Sequence, residues 1–243
     1  MRSYLLRFFL LLGFLATAGA GGNASTMPGL FPAYGRLLHR MPPARTHAFF
    51  YQAETTRPIV ALTFDDGPLR RTPRILRLLR ERRVPATFFL LASRLNAHNA
   101  RLYDDPLFTV GIHGYRHPHY GRLSRYHVAR ELDRAVARFR RVGLPVHWFR
   151  PPYGELTASL PRLLAKRNLQ GVLWSLDSYD WRGRRGKGLL RRIRRHLAPG
   201  SVLLLHDQSL PLRDLAALID TIRAEGYEIV PLEELMKYSS KYP

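Results

Sequence analysis

The 243-residue chain contains no cysteine. Disulfide bonds, thiolate nucleophiles and cysteine-based zinc sites are therefore excluded, and any metal site must use histidine and carboxylate ligands. Acidic residues are also scarce, because 18 Asp and Glu stand against 39 Lys and Arg and give a formal net charge of +21. Lysine is nearly absent as well, since the chain has only Lys166, Lys187, Lys237 and Lys241. Arginine therefore carries almost all of the positive charge.

This charge has two interpretations. It can reflect attraction to an anionic partner, such as an acidic cell-wall polymer, a membrane surface or nucleic acid. It can equally reflect an arginine-rich solvated surface, and charge alone does not decide between the two. The hydrophobic fraction of 46% is ordinary for a globular protein, so general disorder is not expected.

Long apolar runs are missing except near the N-terminus. Arg2 and Arg7 precede an apolar run from Phe8 to Ala16, and Ala18-Gly19-Ala20 has the small residues of a cleavage site. We therefore predict a signal peptide at residues 1–20 and a secreted or periplasmic protein. An uncleaved segment would instead anchor the protein to the membrane.

The rest of the chain divides by composition and periodicity. Residues 21–56 are rich in Gly, Pro, Ala and Arg without a sustained period, which predicts a linker or an N-terminal arm. Residues 57–237 alternate strand-like and helix-like stretches, which favours βα units and a parallel sheet or barrel. Residues 238–243 are a short tail. In such folds the functional side chains follow the carboxyl ends of the strands.

Polar residues do follow five predicted strands. The strands are Ile59–Phe64, Thr109–Ile112, Trp148-Phe149, Gly171–Leu176 and Ser201–Leu205, and the residues after them include Asp65-Asp66, His113 and His117, Arg150 and Tyr153, Asp177 and Asp180-Trp181, and His206-Asp207. Each group alone has an ordinary interpretation as a turn, a surface charge or a packing aromatic. Two histidines four residues apart can share a metal, but most such pairs do not. The repetition at five strand ends favours a catalytic site.

At these residues the chain resembles the polysaccharide deacetylase family, the NodB-homology domain of carbohydrate esterase family 4. The resemblance covers about residues 57–235 and rests on five segments: Thr63-Phe64-Asp65-Asp66-Gly67-Pro68, His113-Gly114-Tyr115-Arg116-His117, Arg150-Pro151-Pro152-Tyr153-Gly154, Asp177-Ser178-Tyr179-Asp180-Trp181 and Leu203-Leu204-Leu205-His206-Asp207. It implies a distorted (β/α) barrel in a single domain, with a groove across its top.

The resemblance also implies roles for the residues. Asp66, His113 and His117 would hold a divalent metal, commonly zinc, and leave a position open for water. Asp65 would be the general base, oriented by Arg150, and His206 the general acid, paired with Asp180. The main-chain N–H of Tyr153 would stabilise the oxyanion. Trp181 and Leu204 would line the pocket for the acetyl methyl group.

One position departs from the family pattern. A Ser or Thr usually follows the first histidine of the second motif, but this chain has Gly114. Loss of that hydroxyl is predicted to loosen the metal site without removing a ligand.

The expected activity is removal of N-acetyl groups from a polysaccharide that contains N-acetylglucosamine, such as peptidoglycan, chitin or an exopolysaccharide. O-deacetylation of a polymer such as xylan would use the same residues. A third possibility is a weakly active glycan- or membrane-binding protein on the same fold. The basic stretch 182–195 is a candidate contact for an anionic cell-wall polymer or a membrane surface. No nucleic-acid motif is recognisable, so a nucleic-acid partner is not expected.

Overall fold

The structure is a computed structural model that describes residues 49–239. The predicted signal segment at 1–20, most of the predicted arm at 21–56 and the end of the tail at 238–243 lie outside these residues. None of the helices within the described part is both long and apolar enough to cross a bilayer.

The described residues form one sheet of nine strands. The strands are β1 (Phe49–Phe50), β2 (Ile59–Gly67), β3 (Ala86–Leu90), β4 (Phe108–Ile112), β5 (Trp148–Phe149), β6 (Gln170–Val172), β7 (Leu176–Asp177), β8 (Val202–His206) and β9 (Glu228–Ile229). Their order is β1-β6-β5-β4-β3-β2-β8-β7, and β9 adds to β2. The pairings between these strands are parallel. The sheet curls into an open barrel, which confirms the predicted distorted (β/α) barrel of a single domain.

Seven α-helices occur in the described part of the chain. They are α1 (Thr72–Glu81), α2 (Ala97–Ala100), α3 (Arg125–Arg141), α4 (Leu160–Ala165), α5 (Gly186–His196), α6 (Leu212–Ala224) and α7 (Leu232–Met236). The longest, α3, begins after Ser124, whose side chain accepts a hydrogen bond from the His127 N–H and so caps the helix. It buries Val128, Leu132 and Phe139 on one face, as their helical spacing requires.

Two predicted elements differ from the structure. The single strand predicted from Gly171 to Leu176 is two strands, β6 and β7. The chain changes neighbours between them, because β6 pairs with β1 and β5 whereas β7 pairs with β8. The sequence pattern also predicts a helix from Leu156 to Arg167, but α4 is shorter. It begins at Leu160 with Pro161 in its first turn, the position that proline tolerates.

The sheet also begins earlier than the sequence pattern indicated. β1 lies in the segment predicted to be an arm, yet both of its phenylalanines are about 1% exposed and pair with Gly171 and Val172 of β6. Two residues are too few to show a period, so the pattern could not reveal this strand.

Strand β2 lies between β3 and β8, and all nine of its residues are buried. Apolar side chains from Ile59 to Leu62 fill both faces of this strand, as is usual for strands of a parallel sheet. The carboxyl end of β2 therefore brings its last polar residues to the middle of the top of the barrel.

Candidate active site

Four of the predicted site residues lie at the carboxyl ends of β5, β4, β2 and β8, with β3 between β4 and β2. Asp65 belongs to β2 and lies directly opposite His206, the last residue of β8. His113 follows β4, and Arg150 follows β5. The parallel topology brings these four residues to one edge of the barrel.

Asp66, His113 and His117 form the candidate metal centre. One ligand atom from each lies within 4.8 Å of the others. The Asp66 Oδ1 atom is 3.5 Å from Nε2 of His117 and 3.8 Å from Nε2 of His113. Among residues 49–239 this is the one cluster of three or more such ligands.

The protonation of the two histidines suits a metal. Nδ1 of His113 is 2.9 Å from the main-chain carbonyl oxygen of Arg150. Because that oxygen can only accept, Nδ1 donates to it, and Nε2 is directed at the cluster. Burial and the neighbouring His113 lower the pKa of His117 to about 4, so its ring is neutral at pH 7. One carboxylate and two imidazoles are a donor set that fits zinc.

Two residues that the sequence did not single out hold Asp66. Its backbone has φ of 74°, a conformation that costs a non-glycine residue about 1–3 kcal/mol. The Arg94 guanidinium donates to its main-chain carbonyl. The Gln208 amide donates to Oδ2 at 3.1 Å, which leaves Oδ1 to face the histidines. Neither contact has a sequence signal, since both residues are polar positions in loops.

The loop between the two histidine ligands is fixed by Glu131 of α3. One of its carboxylate oxygens accepts from the main-chain N–H groups of Tyr115 and Arg116, at 3.2 and 2.9 Å. Gly114 has φ of +82°, and a Cβ placed there would lie 3.4 Å from the Tyr120 hydroxyl. That hydroxyl is buried without a hydrogen-bond partner among the described residues. The place where a side chain at position 114 would lie is therefore next to the unsatisfied Tyr120 hydroxyl. Glu131 still holds the loop to α3.

Asp65 is arranged to stay ionised. The Arg150 guanidinium, which is fully buried, donates to its Oδ1 at 2.8 Å and also to Thr63 and to the Leu173 carbonyl. Burial acts to raise the pKa of Asp65, but the charges of Arg150 and then His113 outweigh it and lower that pKa. Asp65 is thus a carboxylate with one oxygen held and the other 3.5 Å from Nε2 of His113.

His206 has the opposite protonation state. Its Nδ1 is 2.8 Å from Oδ1 of Asp180, and Oδ2 of the same carboxylate accepts from the His206 main-chain N–H at 2.8 Å. Burial acts to lower the pKa of His206, but the hydrogen bond and charge of Asp180 raise it to about 9. His206 is therefore a proton donor at neutral pH, and Asp180 is buried beneath it.

The three residues predicted to contact substrate differ in exposure. Tyr153 is 54% exposed and Trp181 is 47% exposed, whereas Leu204 is 3% exposed within β8. The Tyr153 ring packs on the edge of His117 and stacks on His119, with centroids 4.3 and 3.8 Å apart. The sequence motifs assign no role to His119.

His119 is in turn held by Glu155. Its Nδ1 lies 2.7 Å from Oε1 of that carboxylate, while Oε2 accepts from the Gly121 N–H at 2.9 Å. The loops after β4 and β5 are therefore joined beside His117, a candidate metal ligand.

The basic stretch 182–195 separates into two groups. Six of its cations are exposed: Arg182, Arg184, Lys187, Arg191, Arg194 and Arg195. Arg185 and Arg192 instead turn toward the protein and donate to the main-chain carbonyls of Asp180 and Asp177. The stretch is thus not uniformly available to a partner.

A buried acid–base pair beside an Asp-His-His cluster, at the top of a parallel barrel, defines a hydrolase-type site. A sequence model described as polysaccharide deacetylase matches residues 52–172. The chain belongs to the polysaccharide deacetylase family, which confirms the resemblance drawn from its motifs.

Individual relatives agree with this assignment. A peptidoglycan-N-acetylglucosamine deacetylase of Bacillus cereus is 28% identical over 206 residues, which cover 80% of this chain and 74% of the relative. A bifunctional xylanase/xylan deacetylase of Cellvibrio japonicus is 34% identical over 69% of this chain, but the match spans only 26% of that protein. The crystal structure of a CE4 family pseudoenzyme from Bacillus anthracis has a TM-score of 0.73 and 27% identity, over 79% of this chain and 69% of that one.

Proposed function

We propose that the protein is a metal-dependent deacetylase that hydrolyses N-acetyl groups of a polysaccharide containing N-acetylglucosamine. The observation that carries this proposal is the pairing of Asp65 with His206. The two residues face one edge from adjacent strands, and their surroundings shift their pKa values in opposite directions. Titratable neighbours with pKa values pushed apart are the mark of an assigned base and acid.

The cofactor would be held by Asp66, His113 and His117. When bound there, a divalent cation, with zinc best suited to these donors, would supply Lewis-acid activation of water and of the acetamide carbonyl. The remaining work falls to the chain itself.

Asp65 would accept the proton of the attacking water, since it is ionised and Arg150 fixes one of its oxygens. His206 would donate a proton to the nitrogen as the C–N bond breaks. That donation is needed because an amide anion is a very poor leaving group, and general acid catalysis contributes about 10²–10⁴-fold. The main-chain N–H of Tyr153 would donate to the developing oxyanion, with Trp181 and Leu204 beside the acetyl methyl group.

A second candidate is O-deacetylation of a polymer such as xylan, which the name of the Cellvibrio japonicus relative favours. In ester cleavage the alcohol oxygen can leave as an alkoxide. Ester cleavage therefore depends less on protonation of the leaving group than amide cleavage does. The raised pKa of His206 therefore favours the amide substrate.

A third candidate is a binding protein without activity, and the pseudoenzyme among the similar structures supports this candidate. The complete set of Asp65, Asp66, His113, His117, Arg150 and His206 argues for catalysis instead.

Acetate release from peptidoglycan, chitooligosaccharide and acetylxylan, before and after chelation, would test the proposal. We expect release from the N-acetylated substrates, loss on chelation and recovery with Zn²⁺. Release from acetylxylan alone would favour the ester substrate. Absence of release by zinc-loaded protein would favour the binding protein, and release unaffected by chelator would contradict the metal centre.

We further propose that the six exposed cations of the 182–195 stretch recruit an anionic cell-wall polymer. They begin directly after Trp181, beside the site, and attraction of this kind weakens with salt. Replacing Arg184, Lys187, Arg191 and Arg195 by Gln should reduce both activity on an anionic wall polymer and its salt dependence, and leave a neutral oligosaccharide unaffected. Unchanged salt dependence would refute the recruitment, and binding to anionic lipid vesicles alone would assign the surface to a membrane.

Export rests on residues 1–20 and is likewise a proposal. Mass spectrometry of the protein recovered outside the cytoplasm should show a chain that begins after Ala20. An intact N-terminus in the membrane fraction would indicate an anchor instead.

A further inference from the structure

Asp180 lies in a turn that is held from outside by helix α5. The turn runs from Asp177 to Asp180 and places Tyr179 in the left-handed region, with φ of 58° and ψ of 26°. A non-glycine residue pays about 1–3 kcal/mol in this region and needs surrounding contacts to keep it there. Other contacts must therefore hold the turn in place beside His206.

Contacts within the turn supply part of this support. The Asp177 carboxylate accepts from the Tyr179 N–H at 2.7 Å and from the Trp181 indole N–H at 3.2 Å. The Ser178 hydroxyl accepts from the Asp180 N–H at 3.2 Å. These bonds shape the turn, and the Ser178 N–H joins it to β8 by donating to the Leu204 carbonyl at 3.3 Å.

Two arginines, one within α5 and one just before it, tie the turn to that helix as well. Arg192 donates from Nε to the Asp177 carbonyl at 2.7 Å, and its guanidinium lies 4.0 Å from the centre of the Tyr179 ring. Arg185, the residue before the first turn of α5, donates to the Asp180 carbonyl. The two arginines thus contact the first residue of the turn, Asp177, its strained residue, Tyr179, and its last residue, Asp180.

Helix α5 is itself well anchored. Leu189 and Ile193 are fully buried on its inner face. The buried Asp214 of α6 accepts from the Gly186 N–H at 2.9 Å, so an anion stands at the helix N-terminus, where it is favourable. The two arginines therefore extend from a fixed support.

We infer that Arg192 and Arg185 are positioning residues that hold the Asp177–Asp180 turn so that Asp180 keeps both of its hydrogen bonds to His206. Neither arginine contacts the candidate metal ligands in the described structure, and neither needs to touch substrate. The inference rests on the proposed function only for its effect on rate.

The sign of one measurement separates positioning from simple electrostatics. The carboxylates that face His206 are Asp180 from its own turn, Asp65 and Asp66 from β2, and Asp177 from β7. Removing a nearby cation strengthens their combined field and would raise the pKa of His206. Releasing the turn weakens the bond to Asp180 and would lower it. The two effects therefore act in opposite directions.

The test is NMR titration of the His206 ring in the full chain, with Arg192→Met and, as a matched control, Arg191→Met. Arg191 is the adjacent exposed cation and has no contact with the turn in the described structure. We expect Arg192→Met to lower the His206 pKa by about one unit, which corresponds to a tenfold weaker bias toward the protonated form. Arg191→Met should leave it unchanged or slightly higher, and Arg192→Lys should restore it in part.

An unchanged or raised pKa in Arg192→Met would overturn the inference, as would equal shifts in the two variants. If Arg192→Met does not fold, Arg185→Met is titrated in its place and must show the same downward shift. If the protein releases no acetate at all, the titration still decides the inference, so its failure and that of the proposed function are distinguishable. Where there is activity, the basic limb of the kcat profile should move with the pKa.

Discussion

Asp180 binds His206 twice, through the ring Nδ1 and through the main-chain N–H, with both distances at 2.8 Å. A single buried carboxylate therefore sets the orientation of the ring and its charge. Because Nδ1 is engaged by Asp180, Nε2 is the atom that would carry the proposed proton transfer.

This relationship predicts the pH dependence of an Asp180→Asn variant. A neutral amide removes the charge that raises the pKa of His206 to about 9, so that pKa should fall toward the ordinary value near 6.5. Because the acid works only below its pKa, the alkaline loss of kcat should move to lower pH. The measurement is kcat against pH on a chitooligosaccharide. The exposed Asp133→Asn serves as control, and an unmoved alkaline limb would contradict the assignment of His206 as the acid.

The buried pair of Arg150 and Asp65 predicts a large loss of stability when one member is removed. Arg150→Met leaves a buried carboxylate without its cation, which costs about 3–5 kcal/mol. Urea unfolding of the metal-free protein would measure this loss. Arg184→Met, at an exposed position, should change the free energy of unfolding by less than about 0.5 kcal/mol.

A double variant sharpens that prediction. Adding Asp65→Asn to Arg150→Met removes the stranded charge, so the double variant should be more stable than Arg150→Met alone. Losses that simply add would show that the two side chains are not coupled.

Replacement of Gln208 is expected to weaken metal binding. Its amide fixes Oδ2 of Asp66, and loss of a contact that orients a ligand usually weakens binding by about 10–100-fold. Gln208→Ala should therefore raise the Zn²⁺ dissociation constant by that factor in a chelator competition. Gln52→Ala removes an amide that bonds to the Pro199 carbonyl instead and should leave the constant unaltered.

Two small substitutions of Gly114 are expected to differ in their effect on stability. Both Gly114→Ala and Gly114→Ser place a Cβ at φ of +82°, which costs about 1–2 kcal/mol. Only serine brings a hydroxyl toward the unsatisfied Tyr120 hydroxyl, so it should be the more stable variant in thermal unfolding. Combining each with Tyr120→Phe should erase the difference, and a difference that persists would exclude this hydrogen bond.

The strand-end residues could be predicted from the sequence because each has a local signal. An apolar run ends at Phe64 and Asp65-Asp66 follows, and Leu205 is followed in the same way by His206. A parallel sheet brings all such positions to one edge, so local patterns were enough to assemble most of the site.

The supporting contacts could not be predicted in this way. Arg94 and Gln208 reach Asp66 from distant parts of the chain. Glu131 likewise reaches the loop between His113 and His117. Arginines dominate the polar surface of this protein, so nothing in the sequence distinguishes Arg192, which faces inward, from Arg191, which does not. Which of these two arginines contacts the turn depends on which face of α5 packs against it, and that is a property of the tertiary packing.

The register of β2 and β8 has one further consequence. Asp65 and His206 are direct neighbours across two parallel strands, so their backbones stand about 4.8 Å apart, as any adjacent strands do. The main-chain positions of the proposed proton acceptor and proton donor thus have a separation that does not depend on the loops that follow them, while Arg150 and Asp180 orient the two side chains. Those loops can therefore vary in length and sequence without changing the spacing of the two backbone positions.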